Sequence, residues 1–180
     1  TGGELGSNGT PEERDAEAQE SAGTLGVHAR LTLGLPDGGV RPDDERQRRS
    51  VVAALRTHRP RLVIGPDVAA RHPDHVAVAT LLQQAQFWSA VHGYDAGIPA
   101  AVRPVLVRAL DYYPMHPSFV VDVTDVLELK LRALRCYRSQ FERGTNRVPT
   151  VLNDPAYLQR VETQARAYGL LIGGPAGEPY

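Results

Sequence analysis

The stretch Leu62-Val63-Ile64-Gly65-Pro66, followed shortly by Arg71-His72-Pro73-Asp74-His75, decides how this chain is read. The first run is apolar and unalternating, as expected of a parallel strand covered on both faces. The second places two imidazoles and a carboxylate within one turn, and the spacing predicts a helix from about residue 74 to residue 91. In open α/β sheets, ligands and catalytic groups collect just past the C-terminal ends of strands. A His-x-x-His pair at a helix start sets two ring nitrogens on one side. They are close enough to share a metal or to divide ligand and acid/base roles. The plainer reading of the same residues is a polar loop whose histidines cap the next helix.

Working outward, Thr10-Pro11-Glu12-Glu13 combines an N-cap threonine, proline at the first helical position and glutamate at the third. This capping box predicts a helix running to about Leu25 and stopping at Gly26. Residues 30–35 alternate apolar and polar as a short strand, closed by the turn Pro36-Asp37-Gly38-Gly39. Asp43 and Asp44 start the next helix, which ends before Pro60. Beyond the histidine segment, strands are expected near 104–110 and 119–123. Helices follow at 124–141 and 154–168, with a loop at 144–149 between them. Alternating helices and strands in the first half predict an α/β fold, Rossmann-like, with a mostly parallel sheet flanked by helices. With 180 residues, the chain is expected to form one domain, residues 1–180.

Composition excludes several classes of function. The 20 basic and 21 acidic residues leave a net charge of −1, so no electrostatic footprint argues for nucleic acid or an anionic membrane. No apolar stretch approaches the roughly 20 residues of a spanning helix, and no signal-peptide pattern is present. The lone cysteine, Cys136, excludes an intrachain disulfide and fits a reducing, cytoplasmic setting. It falls in an apolar-periodic helical stretch, where a structural thiol is expected rather than a nucleophile.

Of the six histidines, His28 and His92 have no chemical partner nearby in sequence, and His58, near a helix end, offers a favourable charge there. His116, between Met115 and Pro117 just ahead of a strand, is a candidate for the same mouth as the His72 loop. A catalytic zinc takes about three protein ligands and keeps one position open for water. The local sequence offers at most two. No Gly-x-Ser-x-Gly elbow is present, and none of the Gly-Gly pairs has the strand–turn–helix setting of a dinucleotide fingerprint.

Several blocks, in collinear order, resemble one family. They are the glycine-rich start Thr1-Gly2-Gly3-Glu4-Leu5-Gly6 through Gly9-Thr10 with Glu12-Glu13-Arg14, the turn Leu35-Pro36-Asp37-Gly38-Gly39, and Arg71-His72-Pro73-Asp74-His75. Pro117-Ser118-Phe119-Val120-Val121-Asp122-Val123, the Arg135-Cys136-Tyr137-Arg138 block and Gly177-Glu178-Pro179-Tyr180 complete the set. This pattern is similar to the zinc-dependent de-N-acetylases of the PIG-L/LmbE type, nearest the bacillithiol-pathway deacetylases.

The resemblance implies an LmbE-like fold and a zinc-dependent amide hydrolase. The enzyme would remove an acetyl group from an N-acetylglucosamine conjugate, N-acetylglucosaminyl malate first among them. Another N-acetyl sugar, such as a chito-oligosaccharide or mycothiol precursor, is the alternative, and a catalytically dead sugar-binding or assembly remnant is the other rival. On this resemblance His75 is a zinc ligand. His72 stabilises the oxyanion or protonates the leaving amine, and Asp74 orients a histidine as an outer carboxylate does. Arg14 and Asp37 fall at substrate-contacting positions, for a carboxylate on the aglycone and a sugar hydroxyl respectively; His116 is counted with them. The expected partner is a small amino-sugar conjugate, and the intact protein is expected to be a homo-oligomer.

One departure stands out. Members of the family carry a strand ending in His-Pro-Asp-Asp that supplies two further zinc ligands and the general base, and residues 1–180 hold no such motif. The chain is therefore expected to be truncated at the N-terminus by roughly forty residues, about one strand–helix–strand start, and slightly at the C-terminus. Expressed alone, without its first strand, it is expected to be inactive and not independently stable.

Overall fold

The computed structural model describes residues 1–110, 116–145 and 147–180. Asn146, within the expected 144–149 loop, and residues 111–115 lie outside this description. The chain forms two compact units: Thr1–Gly34 with Phe119–Pro179, and Leu35–Ser118 with Tyr180.

The unit built on Leu35–Ser118 holds helix α2 (Glu45–His58), strand β1 (Leu62–Pro66), helix α3 (Pro73–Ser89) and strand β2 (Val105–Ala109). Asp44 starts α2 by accepting hydrogen bonds from the N–H groups of Arg46 (2.8 Å) and Gln47 (3.2 Å), so of the aspartate pair read from sequence Asp44 is the residue that caps the helix. Strands β1 and β2 pair in parallel, with Leu62 opposite Val105 and Pro66 opposite Ala109. This is the parallel α/β arrangement that the residues predict. Gly65 has a steric reason: a Cβ there would lie 2.5 Å from Leu82 Cδ1, so glycine lets α3 approach the strand.

Between α2, α3 and the strands lies a core of Val40, Val51, Val52, Leu55, Leu81 and Ala85. Arg56 is buried in the same unit at 2% exposure and donates to five backbone carbonyls, those of Trp88, Ser89, Val91, Tyr94 and Ile98. Two of these belong to the last turn of α3, whose carbonyls have no partner within the helix. A planar guanidinium is the side chain that can reach so many acceptors at once. One expectation is corrected here. Strand β1 is not covered on both faces, because α3 lies against the face of Val63 and Gly65 while Leu62 and Ile64 stay 50% and 54% exposed.

The other unit begins with helix α1 (Pro11–Thr24). Its capping box is complete: Thr10 Oγ1 accepts from Glu13 N–H at 3.2 Å, and the Glu13 carboxylate accepts from Thr10 N–H at 2.9 Å. Strand β3 (Val120–Asp122) pairs antiparallel with β4 (Gly177–Pro179), and α6 (Tyr157–Leu170) packs with them. Val123, Leu127, Leu131, Ala165 and Ala176 form the core of this unit.

Two further expectations fail here. Residues 30–35 form no strand; Leu31 and Leu33 are exposed in irregular backbone. The single helix expected over 124–141 is a 3₁₀ turn (Thr124–Val126), then α4 (Leu127–Arg135), then α5 (Arg138–Phe141). The break has a tertiary cause. Buried Glu17 of α1 accepts from Ser139 N–H at 2.6 Å and from Ser139 Oγ–H at 2.7 Å. A carboxylate seated on the first N–H groups of a new helix favours starting that helix there over continuing the previous one.

Candidate functional site

The first turn of α3 carries the two histidines. His72 is its N-cap residue, Pro73 supplies a preset φ at the first helical position, and His75 follows one turn on. The rings lie 5.3 Å apart between centroids, tilted by 42°, and both residues are exposed. His72 Nδ1 accepts a hydrogen bond from the Asp74 N–H at 3.2 Å. A backbone N–H can only donate, so Nδ1 is the unprotonated nitrogen and the ring proton sits on Nε2. The capping role read from sequence and a chemical role are therefore compatible: one nitrogen holds the helix start, and the other is a donor.

Asp74 differs from its expected place. It is 7% exposed, and its carboxylate accepts from Gly38 N–H at 2.8 Å and Val40 N–H at 3.4 Å. Among the described residues this carboxylate clasps the turn at residues 36–39, while the Asp74 backbone N–H is the group that meets His72. That turn closes with a hydrogen bond from Gly39 N–H to Pro36 O at 3.1 Å and needs a positive φ (70°) at Gly38, which glycine adopts without strain. The clasp brings half-buried Asp37 into the assembly that also bears His72 and His75.

Gln47 was missed by the reading of the sequence. It is 8% exposed, accepts from Arg41 N–H at 2.9 Å and donates to Gly39 O at 3.0 Å. The signal was its place three residues after the N-cap Asp44, where a capping-box glutamine reaches back. Here it reaches beyond the cap, to the turn.

His116 and Arg14 are the remaining candidates. His116 is exposed ahead of β3 and makes none of the bonds that hold the turn. Arg14 belongs to the other unit, on α1, where the glycine-rich loop wraps its guanidinium. A Cβ on Gly3 would lie 2.6 Å from its Cζ, and one on Gly6 would collide with Nη1. Nη1 also donates to Gln140 Oε1 at 3.4 Å.

Zinc hydrolases hold their metal with about three protein ligands. Among the described residues no three His, Cys, Asp or Glu side chains come together to hold a metal. The Asp74 carboxylate is engaged by the turn and His72 Nδ1 by a backbone N–H. The described residues thus do not by themselves fit the metal. Among them, no helix is long and apolar enough to cross a membrane.

The family model of PIG-L, GlcNAc-PI de-N-acetylase, matches residues 1–86, which include Arg14, Asp37, His72, Asp74 and His75. A diacetylchitobiose deacetylase of Thermococcus kodakarensis is 32% identical over 146 residues, 78% of this chain and 54% of that protein. The chain thus spans about half the length of this curated relative. The crystal structure of a conserved protein, TT1542, from Thermus thermophilus matches with a TM-score of 0.85 and 34% identity, covering 98% of this chain and 75% of that one. The N,N'-diacetylchitobiose deacetylase of Pyrococcus horikoshii, solved with an inhibitor, matches at a TM-score of 0.69 and 28% identity, over 94% of this chain and 62% of its own. Over residues 1–86 the chain thus matches the PIG-L family model, and along nearly its whole length it is similar to relatives of known structure.

Proposed function

We propose that the protein is the N-deacetylase of an N-acetylglucosamine-type sugar, and that the cluster of Asp37, His72 and His75 forms part of its active site. The observation that carries this reading is the clasp of Asp74 on the Asp37 turn, which ties the segment bearing the Asp37 carboxylate to the helix start bearing the two imidazoles. Hydrolysis adds water across the amide, so the acetyl carbon passes through a tetrahedral oxyanion before the C–N bond breaks and amine and acetate part. His72 suits that charge. Its Nε2–H is a fixed donor, and a preset donor aimed at developing negative charge needs no reorganisation during the reaction. Asp37 would accept from a sugar hydroxyl and fix the ring, which holds the acetamido group against the imidazoles. His75 would be one ligand of a zinc ion, which would polarise the carbonyl and acidify water.

Two substrate classes follow. A neutral chito-oligosaccharide is favoured by the diacetylchitobiose deacetylases among the relatives. It is also favoured by the engagement of Arg14 with its own loop and Gln140, which leaves this guanidinium less free for an anionic aglycone. N-acetylglucosaminyl malate, the bacillithiol precursor, is the second reading and rests on Arg14 meeting the malate carboxylate. Acetate release by the whole protein from N-acetylglucosamine, diacetylchitobiose and N-acetylglucosaminyl malate tests both. Turnover of the malate conjugate alone selects the second reading, and no release from any of the three rejects the proposal.

A further inference from the structure

We propose that Gln47, on a helix that carries none of the site residues, is a positioning residue for substrate recognition through its hold on the Asp37 turn. This rests on the deacetylase reading given above. The four residues after Asp37 are gripped alternately from two helices. Asp74 of α3 takes the N–H groups of Gly38 and Val40. Gln47 of α2 takes Gly39 O and Arg41 N–H. The two side chains thus take alternate residues of one segment and do not compete for the same backbone groups. Leu35 and Val40, on either side of the turn, both pack against the core of this unit. Asp37 is therefore held at the tip of a segment with its ends packed and its following amides pinned.

The two grips differ in consequence. Asp74 shares the first turn of α3 with the histidines and ties the turn to them directly. Gln47 makes no hydrogen bond to either histidine, yet it alone holds Gly39 O and Arg41 N–H. Removing it should free the far half of the turn while leaving His72 and His75 in place. The expected signature is weaker substrate binding with little change in turnover, which marks a group that acts on binding rather than on the transition state.

The test compares Gln47→Met, Asp37→Ala and the double variant in the whole, metal-loaded protein, with acetate release from the substrate it turns over. Gln47→Met is expected to raise KM about tenfold with kcat within about twofold. In the Asp37→Ala background, it should change KM no further, as for two residues acting on one contact. An equal rise in KM in both backgrounds, or a fall in kcat with KM unchanged, overturns the proposal. Amide hydrogen exchange reads the grip without activity. Exchange at Gly38, Val40 and Arg41 at least about tenfold faster in Gln47→Met, with the α3 amides unchanged, supports it, and unchanged exchange overturns it. Absence of acetate release by the unsubstituted protein rejects the deacetylase reading itself, and exchange then decides the grip alone.

Discussion

Asp74 accepts a hydrogen bond from the backbone N–H of Gly38 at 2.8 Å, so the carboxylate between the two histidines in sequence is bound to a turn 36 residues earlier. A buried acceptor of this kind is costly to lose. Asp74→Ala strands the Gly38 and Val40 N–H groups, and an unsatisfied buried donor costs about 1–3 kcal/mol. The variant is expected to unfold at lower denaturant, with Asp74→Asn in between because its amide keeps one acceptor oxygen. Equilibrium unfolding measures this. A midpoint unchanged in Asp74→Ala would contradict the clasp.

Arg56 is expected to be the most sensitive position of its unit. Arg56→Met leaves five carbonyls without their shared donor, and we expect a loss of about 3 kcal/mol or more. Arg56→Lys should recover only part, since an ammonium cannot span five acceptors in one plane. Urea unfolding of the three proteins gives the order directly, and equal stability of the methionine variant would show that the carbonyls find other partners.

Arg59 ends α2 with φ 45° and ψ 50°, the non-glycine residue with positive φ among those described. A side chain in this conformation costs about 1–2 kcal/mol, and glycine is the usual occupant. Arg59→Gly should raise the melting temperature by a few degrees. A lower melting temperature would mean that the arginine side chain contributes more than its backbone strain costs.

Glu17 makes a fourth test, in the other unit. Glu17→Gln retains the shape but offers one acceptor oxygen to two donors, Ser139 N–H and Oγ–H. Hydrogen bonds to a charged group contribute about 1.5–3 kcal/mol, so the variant should lose a substantial part of that. Ser139→Ala should lose less, because the backbone donor remains. Thermal unfolding of both variants checks the order, and a larger loss in Ser139→Ala would contradict it.

The residues that spoke plainly in sequence are those whose structure is local. Thr10-Pro11-Glu12-Glu13, Asp44 and His72-Pro73 each set a helix start through partners two or three residues away, and the ends of α1, α2 and α3 fall near where they were expected. The apolar run 62–66 and the strand near 104–110 were legible from their own residues, although they pair across some forty positions. What escaped was long-range. Nothing near residue 136 signals that Glu17, more than a hundred residues earlier, would break a helix there. The alternation in 30–35 looks like a strand, but alternation specifies a strand only when a partner edge is available to it. Gly177-Glu178-Pro179 is too short and too poor in β-formers to be read as β4.

The site divides in the same way. His72, Asp74 and His75 were visible as a motif, and Asp37 as a turn. The direction of the Asp74 carboxylate was not, because it depends on where residues 38–40 come to rest. Gln47 carries no chemistry that a motif would record; its importance comes only from the turn that it meets.

The measurement closest to the central claim is acetate release and metal content on the whole protein, for the unsubstituted chain, His75→Ala and His72→Ala. The unsubstituted protein should bind zinc and release acetate from an N-acetylglucosamine-type sugar. His75→Ala should lose metal and activity together. His72→Ala should keep its metal while turnover falls by about 10²–10⁴, the usual effect of one oxyanion or acid/base group. Equal metal loss in both variants, or no acetate release from the unsubstituted protein, would contradict it.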